Sequence, residues 1–249
     1  TIGMPQYLSP ESILYVTSNT PFTLMATDDR SGVETTQYKV DDGAWLSYTG
    51  SPIVLPTEGV HTISYRSIDT VGNIEETKIL TATVDNTPPE TTLSVTEPKY
   101  QSPETLYVSS KSLISLPSVD NLCGVARITF SIDGLPFGDY TTPFFIPQEG
   151  PHTLSYKSID HLGNVEEEKV VSITVDNTPP ETVISQSTSY YKGSINIVFP
   201  WTAFYLTATD LFSGVELTQY KLDEGEWNSY QDPFTLQGQT PGEHIIYYR

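Results

Sequence analysis

The chain has 249 residues, 37% of them hydrophobic, with 19 Pro, 16 Gly and 16 Tyr. Twelve Lys and Arg against 31 Asp and Glu give a formal net charge of −19, which argues against nucleic acid and anionic lipid surfaces and favours solubility and cation binding. No apolar run reaches the length that crosses a bilayer, no signal peptide is visible, and the single cysteine, Cys123, leaves no disulfide framework within these residues.

Self-similarity organises the rest. His61 to Thr91 (HTISYRSIDTVGNIEETKILTATVDNTPPET) returns as His152 to Thr182 (HTLSYKSIDHLGNVEEEKVVSITVDNTPPET), a shift of 152 − 61 = 91 residues, and a third copy runs to Tyr247-Tyr248-Arg249. Such a period is too long for a solenoid unit and suits one small domain. Helical periodicity is nearly absent. Short alternating segments are separated by turn residues about every 8–12 positions, the pattern of an all-β sandwich.

In chain order, Phe22, Leu24 and Ala26 share one parity and predict a strand, matched by Ile114, Leu116 and Ser118 and by Phe204, Leu206 and Ala208. An acidic loop follows, in which Asp28, Asp120 and Asp210 each stand four residues before a glycine. The next strand carries Tyr38 and Val40, Phe130 and Ile132, or Tyr220 and Leu222. Its hairpin turn is expected at Asp42-Gly43, Gly134-Leu135 and Glu224-Gly225, pairs that tolerate φ > 0. A later strand carries Ile63 and Tyr65, Leu154 and Tyr156, or Ile246 and Tyr248, and a closing strand runs Ile79 to Val84 and Val170 to Val175. About seven strands in about 90 residues match an immunoglobulin-like or fibronectin-III-like sandwich.

The double prolines are the natural seams, since they lack N–H donors and hold the chain extended. Pro88-Pro89 and Pro179-Pro180 therefore divide the chain into residues 1–87, 88–178 and 179–249. Copy one shows no counterpart of the strand that opens copy two, and copy three stops before its closing strand. A window onto a longer chain accounts for both ends; strands donated by neighbouring molecules are the alternative. Strung end to end, the sandwiches are expected to form an elongated rod.

The run Y-K-V-D-D-G-x-W-x-x-Y (Tyr38 to Tyr48), then H-T-I-S-Y-R-S-I-D-x-x-G-N-x-E (His61 to Glu75), then V-D-N-T-P-P, resembles the tandem bacterial Ig-like repeats of extracellular proteins, in particular the Omp-L type. Copy two departs from it, with Phe137 for Trp45 and Trp227, and Ala126 for Glu34 and Glu216. The resemblance implies an extracellular or cell-surface bacterial protein. Its repeats would be spacers, adhesive modules, or accessory parts of a secreted hydrolase.

Catalysis finds no support. G-x-S-x-G, H-E-x-x-H, a Walker loop and a dinucleotide fingerprint are all absent, and His61, His152 and His244 are one repeat position at a strand entrance, suited to bonding a neighbouring loop. The chain is therefore read as non-enzymatic. Calcium is the one cofactor considered, held by Asp69, Asp85, Asp160 and Asp176 at strand ends and seams. Local Asx turns are the competing account of the same residues. Trp45 with Tyr48 and Trp227 with Tyr230 suggest either a carbohydrate platform or a cover for the open end of the core. Residues unique to one copy are the contact candidates: Trp201 beside Tyr190-Tyr191 and Phe199-Pro200, Phe144 with Phe145, and Phe212 in an otherwise acidic loop. The expected partners are neighbouring repeats or subunits, or a surface ligand such as a carbohydrate, with no nucleic acid and no membrane-spanning segment.

Overall fold

Strands are the regular elements of the described chain. The computed structural model describes residues 1–188, 190–192 and 195–249, and among them there are 23 strands and no helix. No helix is therefore long and apolar enough to cross a membrane. The residues fall into two compact units, one of Thr1–Val95, Leu113–Phe144 and Thr153–Val171, the other of Thr96–Ser112, Phe145–His152 and Ser172–Arg249.

Copy one holds β1 (Gln6–Leu8), β2 (Leu14–Val16), β3 (Val33–Val40), β4 (Leu46–Ser47), β5 (Gly59–Asp69) and β6 (Lys78–Val84), in a sheet ordered β1-β2-β6-β5-β3-β4. All neighbours are antiparallel except β2 and β6, which run parallel, with Tyr15 beside Thr83 and Val16 beside Val84. A second layer consists of short bridges from Phe22 to Ile2 and to Ile53. Between the layers Val16, Phe22, Ile53, Leu55, Ile63, Ala82 and Val84 form a buried core, with Tyr38, Val40, Tyr48 and Tyr65 packed against it. The core residues Ala82 and Val84 of β6 share one parity because successive strand side chains point to opposite faces, while Ser64 and Thr83, on the other parity of β5 and β6, are buried too.

Copy two contributes β7 (Glu90–Thr91), β8 (Ser94–Val95), β9 (Lys99–Gln101), β10 (Leu106–Val108), β11 (Ile114–Ser115), β12 (Ser118–Val119), β13 (Val125–Ile132), β14 (Gly138–Asp139), β15 (Gly150–Asp160) and β16 (Lys169–Val175). Its main sheet is ordered β14-β13-β15-β16-β10-β9, the same arrangement as copy one, again with one parallel pair, β10 and β16. Even the irregularities repeat: the register slips between Val33 and Thr35 and between Val125 and Arg127. The opening strand pairs Val95 with Ile114, and Ile2 with Phe22 takes the corresponding place in copy one.

Copy three holds β17 (Glu181–Gln186), β18 (Tyr190–Lys192), β19 (Ile195–Ile197), β20 (Phe204–Thr209), β21 (Gln219–Leu222), β22 (Asn228–Ser229) and β23 (Ile246–Tyr248). β17 pairs with β20, β18 with β19, and β21 lies between β22 and β23. The predicted inward residues Phe22, Ile114, Leu116, Phe204 and Leu206 are all buried. The chain is all-β, built from sandwich layers.

The hairpin turns differ from expectation in one respect. The left-handed residue in each copy is the aspartate that ends the strand, with φ of 52° at Asp41, 55° at Asp133 and 51° at Asp223, and only Gly134 of the expected pairs joins it. Aspartate tolerates this region when its short side chain finds local donors. Here Asp41 Oδ1 accepts from Thr62 N at 2.8 Å, Asp133 Oδ1 from Thr153 N at 2.9 Å and Asp223 Oδ1 from Ile245 N at 2.8 Å. The carboxylate ties the turn to the next long strand, so the residue type follows from the bond rather than from the turn alone.

Candidate functional site

The seams are where the sequence repeats most faithfully, and the structure gives them a specific chemistry. β6 runs straight into Asp85, whose N–H donates to Val16 O at 2.9 Å, continuing the parallel ladder by one residue. The Asp85 carboxylate then works in two directions. Oδ1 accepts from Thr87 N at 3.1 Å, shaping the Asp-Asn-Thr turn, and Oδ2 accepts from Cys123 N at 2.9 Å, in the acidic loop of the next copy. The second seam repeats this: Asp176 Oδ1 accepts from Thr178 N at 3.2 Å and Oδ2 from Ser213 N at 2.9 Å. Ser213 and Cys123 occupy the same place, three residues after Asp210 and Asp120. Each seam is thus an aspartate clamp onto a backbone N–H of the following copy.

Other bonds surround the first clamp. Asn86 Oδ1 accepts from Ser18 N at 2.9 Å. Glu58 accepts from Thr87 Oγ1 at 2.8 and 2.9 Å and from Asn121 Nδ2 at 2.8 Å, and these bonds hold its carboxyl below the usual range against the opposing effect of burial. The loop after β15 closes from the other side. His161 stacks on Tyr7 with ring centroids 4.1 Å apart and planes 6° from parallel, and Asn164 Nδ2 donates to the Asp85 carbonyl at 3.2 Å. Glu166 accepts from Thr91 N at 2.8 Å and from Ser158 N at 3.0 Å, while Lys169 pairs with it at 2.8 Å.

This closure brings two of the four aspartates considered for calcium together. Asp85, Cys123 and Asp160 are 0%, 5% and 2% exposed, and one ligating atom of each lies within 4.8 Å of the others. Their remaining bonds decide what the group can do. Asp160 Oδ1 accepts from Leu162 N at 2.9 Å and Asn164 N at 2.8 Å, and its Oδ2 from Asn164 Nδ2 at 2.7 Å. Both carboxylates are thus engaged by N–H donors, and the third member is a soft sulfur, whereas calcium takes six to eight oxygens. The residues do not fit calcium here. Burial, with Asp85 close by, pushes the Cys123 thiol far above its ordinary pKa, so it stays protonated and unreactive.

The other two aspartates stand apart. Asp69 accepts from Val71 N, Asn73 N, Asn73 Nδ2 and Ser31 Oγ at 2.7 to 3.0 Å, an Asx turn that meets the local-turn account, and Asp176 has the clamp bonds already given. Ser31 and Cys123 are the same repeat position, so the serine hydroxyl of copy one shows what the thiol replaces.

The aromatic expectations divide. Phe144 is not a contact residue: it bridges Ile114 and stacks on Phe130 with centroids 4.5 Å apart, the place held by Ile53 in copy one and Phe234 in copy three. Phe145, the next residue, is half exposed. Phe212 is partly buried, its N–H donating to Asp210 Oδ1 at 3.0 Å. Trp201 is 67% exposed and stacks on Phe199 with centroids 5.0 Å apart and planes 7° from parallel; the side chains of Tyr190 and Tyr191 lie outside the described residues. Of the seam prolines, Pro89 is buried while Pro88, Pro179 and Pro180 are exposed. Tyr48 and Tyr140 meet the core edge-on through Tyr38 and Phe130. The indoles of Trp45 and Trp227 are each faced by a guanidinium, 4.2 Å from Arg66 and 4.3 Å from Arg249, which leaves those faces closed to a stacked sugar.

The histidines do what a strand-entrance position suits. His61 Nδ1 lies 2.8 Å from Asp41 Oδ2 and its Nε2 2.9 Å from Thr57 O; His244 repeats this with Asp223 at 2.8 Å and Thr240 O at 2.8 Å. His152 Nε2 lies 2.8 Å from Gln148 O.

No protein-family description and no curated protein matches the chain. Among solved structures it is similar to the fibronectin(III)-like modules of CbhA from Clostridium thermocellum, at 14% identity over 60% of this chain and 82% of that one, with a TM-score of 0.32. It is also similar to dimeric latent PorU from Porphyromonas gingivalis, at 16% identity over 87% of this chain and 26% of that one, with a TM-score of 0.29. At these values the likenesses carry no argument about function, and the fold rests on the strands themselves.

Proposed function

We propose that this chain is a non-enzymatic spacer of a bacterial extracellular or cell-surface protein. In this reading the sandwich copies, bounded near residues 87/88 and 178/179, are rigid beads of an elongated stalk or filament of the Omp-L-type repeat class. The observation that carries the proposal is the repeated clamp, Asp85 on Cys123 N and Asp176 on Ser213 N, each at 2.9 Å. A freely jointed string of domains needs no such bond. A spacer that transmits direction does, because a proline pair restricts φ but leaves the angle between beads open. The sealed Asp85–Cys123–Asp160 group supports the non-enzymatic part, since its carboxylates are engaged by N–H donors and its thiol is kept protonated.

Small-angle scattering on the whole chain tests this. The expected result is a rod-like distance distribution that shortens and broadens when Asp85 and Asp176 are both changed to alanine. A compact distribution in the parent, or one indifferent to the double substitution, overturns it. The exposed Phe199–Trp201 stack favours adhesion as a second reading, with removal of both rings expected to abolish attachment to a matrix surface and leave scattering unchanged.

A further inference from the structure

In a chain with 31 acidic and 12 basic residues, one constellation brings a lysine and an arginine to the same indole, and it occurs twice. On the outer face of copy one, Gln37 and Lys39 of β3 lie opposite Arg66 and Ser64 of β5. The Arg66 guanidinium donates through both Nε and Nη2 to Gln37 Oε1 at 3.1 Å and lies 4.2 Å above the Trp45 ring, while Lys39 Nζ is 6.0 Å from the same ring. Copy three repeats the glutamine, lysine, arginine and tryptophan, with Tyr247 in the place of Ser64 and its ring 4.7 Å from Lys221 Nζ. Arg249 donates to Gln219 Oε1 at 3.0 and 2.8 Å and lies 4.3 Å from Trp227, with Lys221 Nζ at 5.8 Å. Copy two does not, having Thr129, Ser131, Phe137 and Lys157 in the places of Gln37, Lys39, Trp45 and Arg66. Its Lys157 stands 5.0 Å from Phe137.

Two cations drawn over one indole repel each other, and the ring quadrupole offsets only part of that cost. Acidic side chains are plentiful, yet among the described residues none of Lys39, Arg66, Lys221 and Arg249 is in an ion pair. Gln37 and Gln219 occupy one edge of each guanidinium through a neutral oxygen, which fixes the group without neutralising it and leaves its remaining N–H donors for a further acceptor.

We propose that the outer faces of copies one and three bind a carboxylated polysaccharide, each site taking one carboxylate between its arginine and lysine. A repeated site suits a polymer with a repeated anionic group, because linked sites gain from effective concentration. With the indole faces covered by guanidinium, recognition runs through charge rather than through sugar stacking. The net charge of −19 does not forbid this, since at about 0.15 M salt fields from charges beyond roughly 8 Å are screened. The inference stands independently of the spacer reading.

Native affinity electrophoresis of the whole chain tests it, with polygalacturonate as the probe and neutral dextran as the control. Retardation by polygalacturonate alone is expected. In the Lys39→Gln/Lys221→Gln variant, which keeps both Arg–Gln–Trp stacks, the affinity is expected to fall roughly tenfold or more, the size of a lost charge-assisted contact. Lys157→Gln is expected to change nothing, and unaltered melting of both variants confirms that they fold. The proposal is overturned by absent retardation, by equal retardation in neutral dextran, by equal losses in Lys157→Gln, or by poly-glutamate binding as tightly as polygalacturonate.

Discussion

The two seams share one bond and differ in almost everything around it. At the first, Asp85 is fully buried, Pro89 is buried, and Asn121, His161 and Asn164 close over the joint. At the second, Asp176 is partly exposed, both prolines are exposed, and Leu211, 79% exposed, stands where Asn121 stands in the first. The comparison separates two jobs. The carboxylate-to-backbone clamp sets which loop of the next copy the strand end meets, and it needs no particular side chain there, since Cys123 and Ser213 both serve through their N–H. Burial comes from the flanking loops, chiefly the turn after β15, and it is burial that converts a modest hydrogen bond into an expensive one to lose.

The largest expected effect follows from that. Asp85→Ala strands the buried N–H of Cys123 and frees the half-buried one of Thr87, and should cost about 2–3 kcal/mol in urea unfolding, against about 1 kcal/mol for Asp176→Ala. Equal losses at the two sites would erase the distinction drawn between the seams. The same variant should unmask the thiol. Cys123 of the parent is expected to resist iodoacetamide at pH 8, and Asp85→Ala to react readily; rapid labelling of the folded parent would show that the joint is open.

A smaller effect sharpens the comparison. Asn121→Leu copies the second seam into the first and removes one exposed hydrogen bond to Glu58, with an expected cost of roughly 0.5–1 kcal/mol. Leu211→Asn is the reverse exchange and should be neutral or slightly stabilising, since Glu149 already accepts from Thr178 Oγ1 at 2.6 Å and stands where Glu58 does. A stabilising Asn121→Leu, or a clearly destabilising Leu211→Asn, would contradict the assignment.

The smallest effect belongs to the turn staples. Bonds to Asp41 and Asp223 raise the pKa values of His61 and His244, and bonds from those imidazoles lower the pKa values of the two aspartates. The histidine contribution is whole below the ordinary histidine value and vanishes as pH climbs through the raised one. The aspartate contribution is whole above the ordinary aspartate value and vanishes as pH falls through the lowered one. The corners are therefore held best in mildly acidic solution, weakly and in a salt-sensitive way because the groups are near the surface. Titration of the imidazole C–H resonances should give values above the free-histidine value for both, falling back in Asp41→Asn and Asp223→Asn.

Much of this was legible in the residues. Alternation located β3, β5, β13 and β15, and the recurrence of one parity in three copies identified Phe22, Ile114 and Phe204 as core. The aspartates of Val-Asp-Asn-Thr-Pro-Pro were picked out by repetition, yet their partner was not, because Cys123 N lies 38 residues from Asp85 and any backbone N–H would serve. A bond to main chain leaves no side-chain trace. The same reason hid the left-handed Asp41, whose conformation is decided by Thr62 N across the strand pair rather than by its neighbour Gly43. Phe144 was misread because its equivalents are Ile53 and Phe234, an equivalence visible only once the bridges to Ile114, Phe22 and Phe204 are drawn. The parallel β2–β6 and β10–β16 pairs join strands far apart in the chain and carry no local mark.

The clamp itself is open to direct measurement by residue-resolved amide hydrogen exchange on the whole chain. The Cys123 and Ser213 amides should be protected in the parent, Cys123 the more strongly, and each should lose protection when its own aspartate, Asp85 or Asp176, becomes alanine. Fast exchange at both positions in the parent would mean that the aspartates do not hold the next copy, and the spacer account would lose its joint.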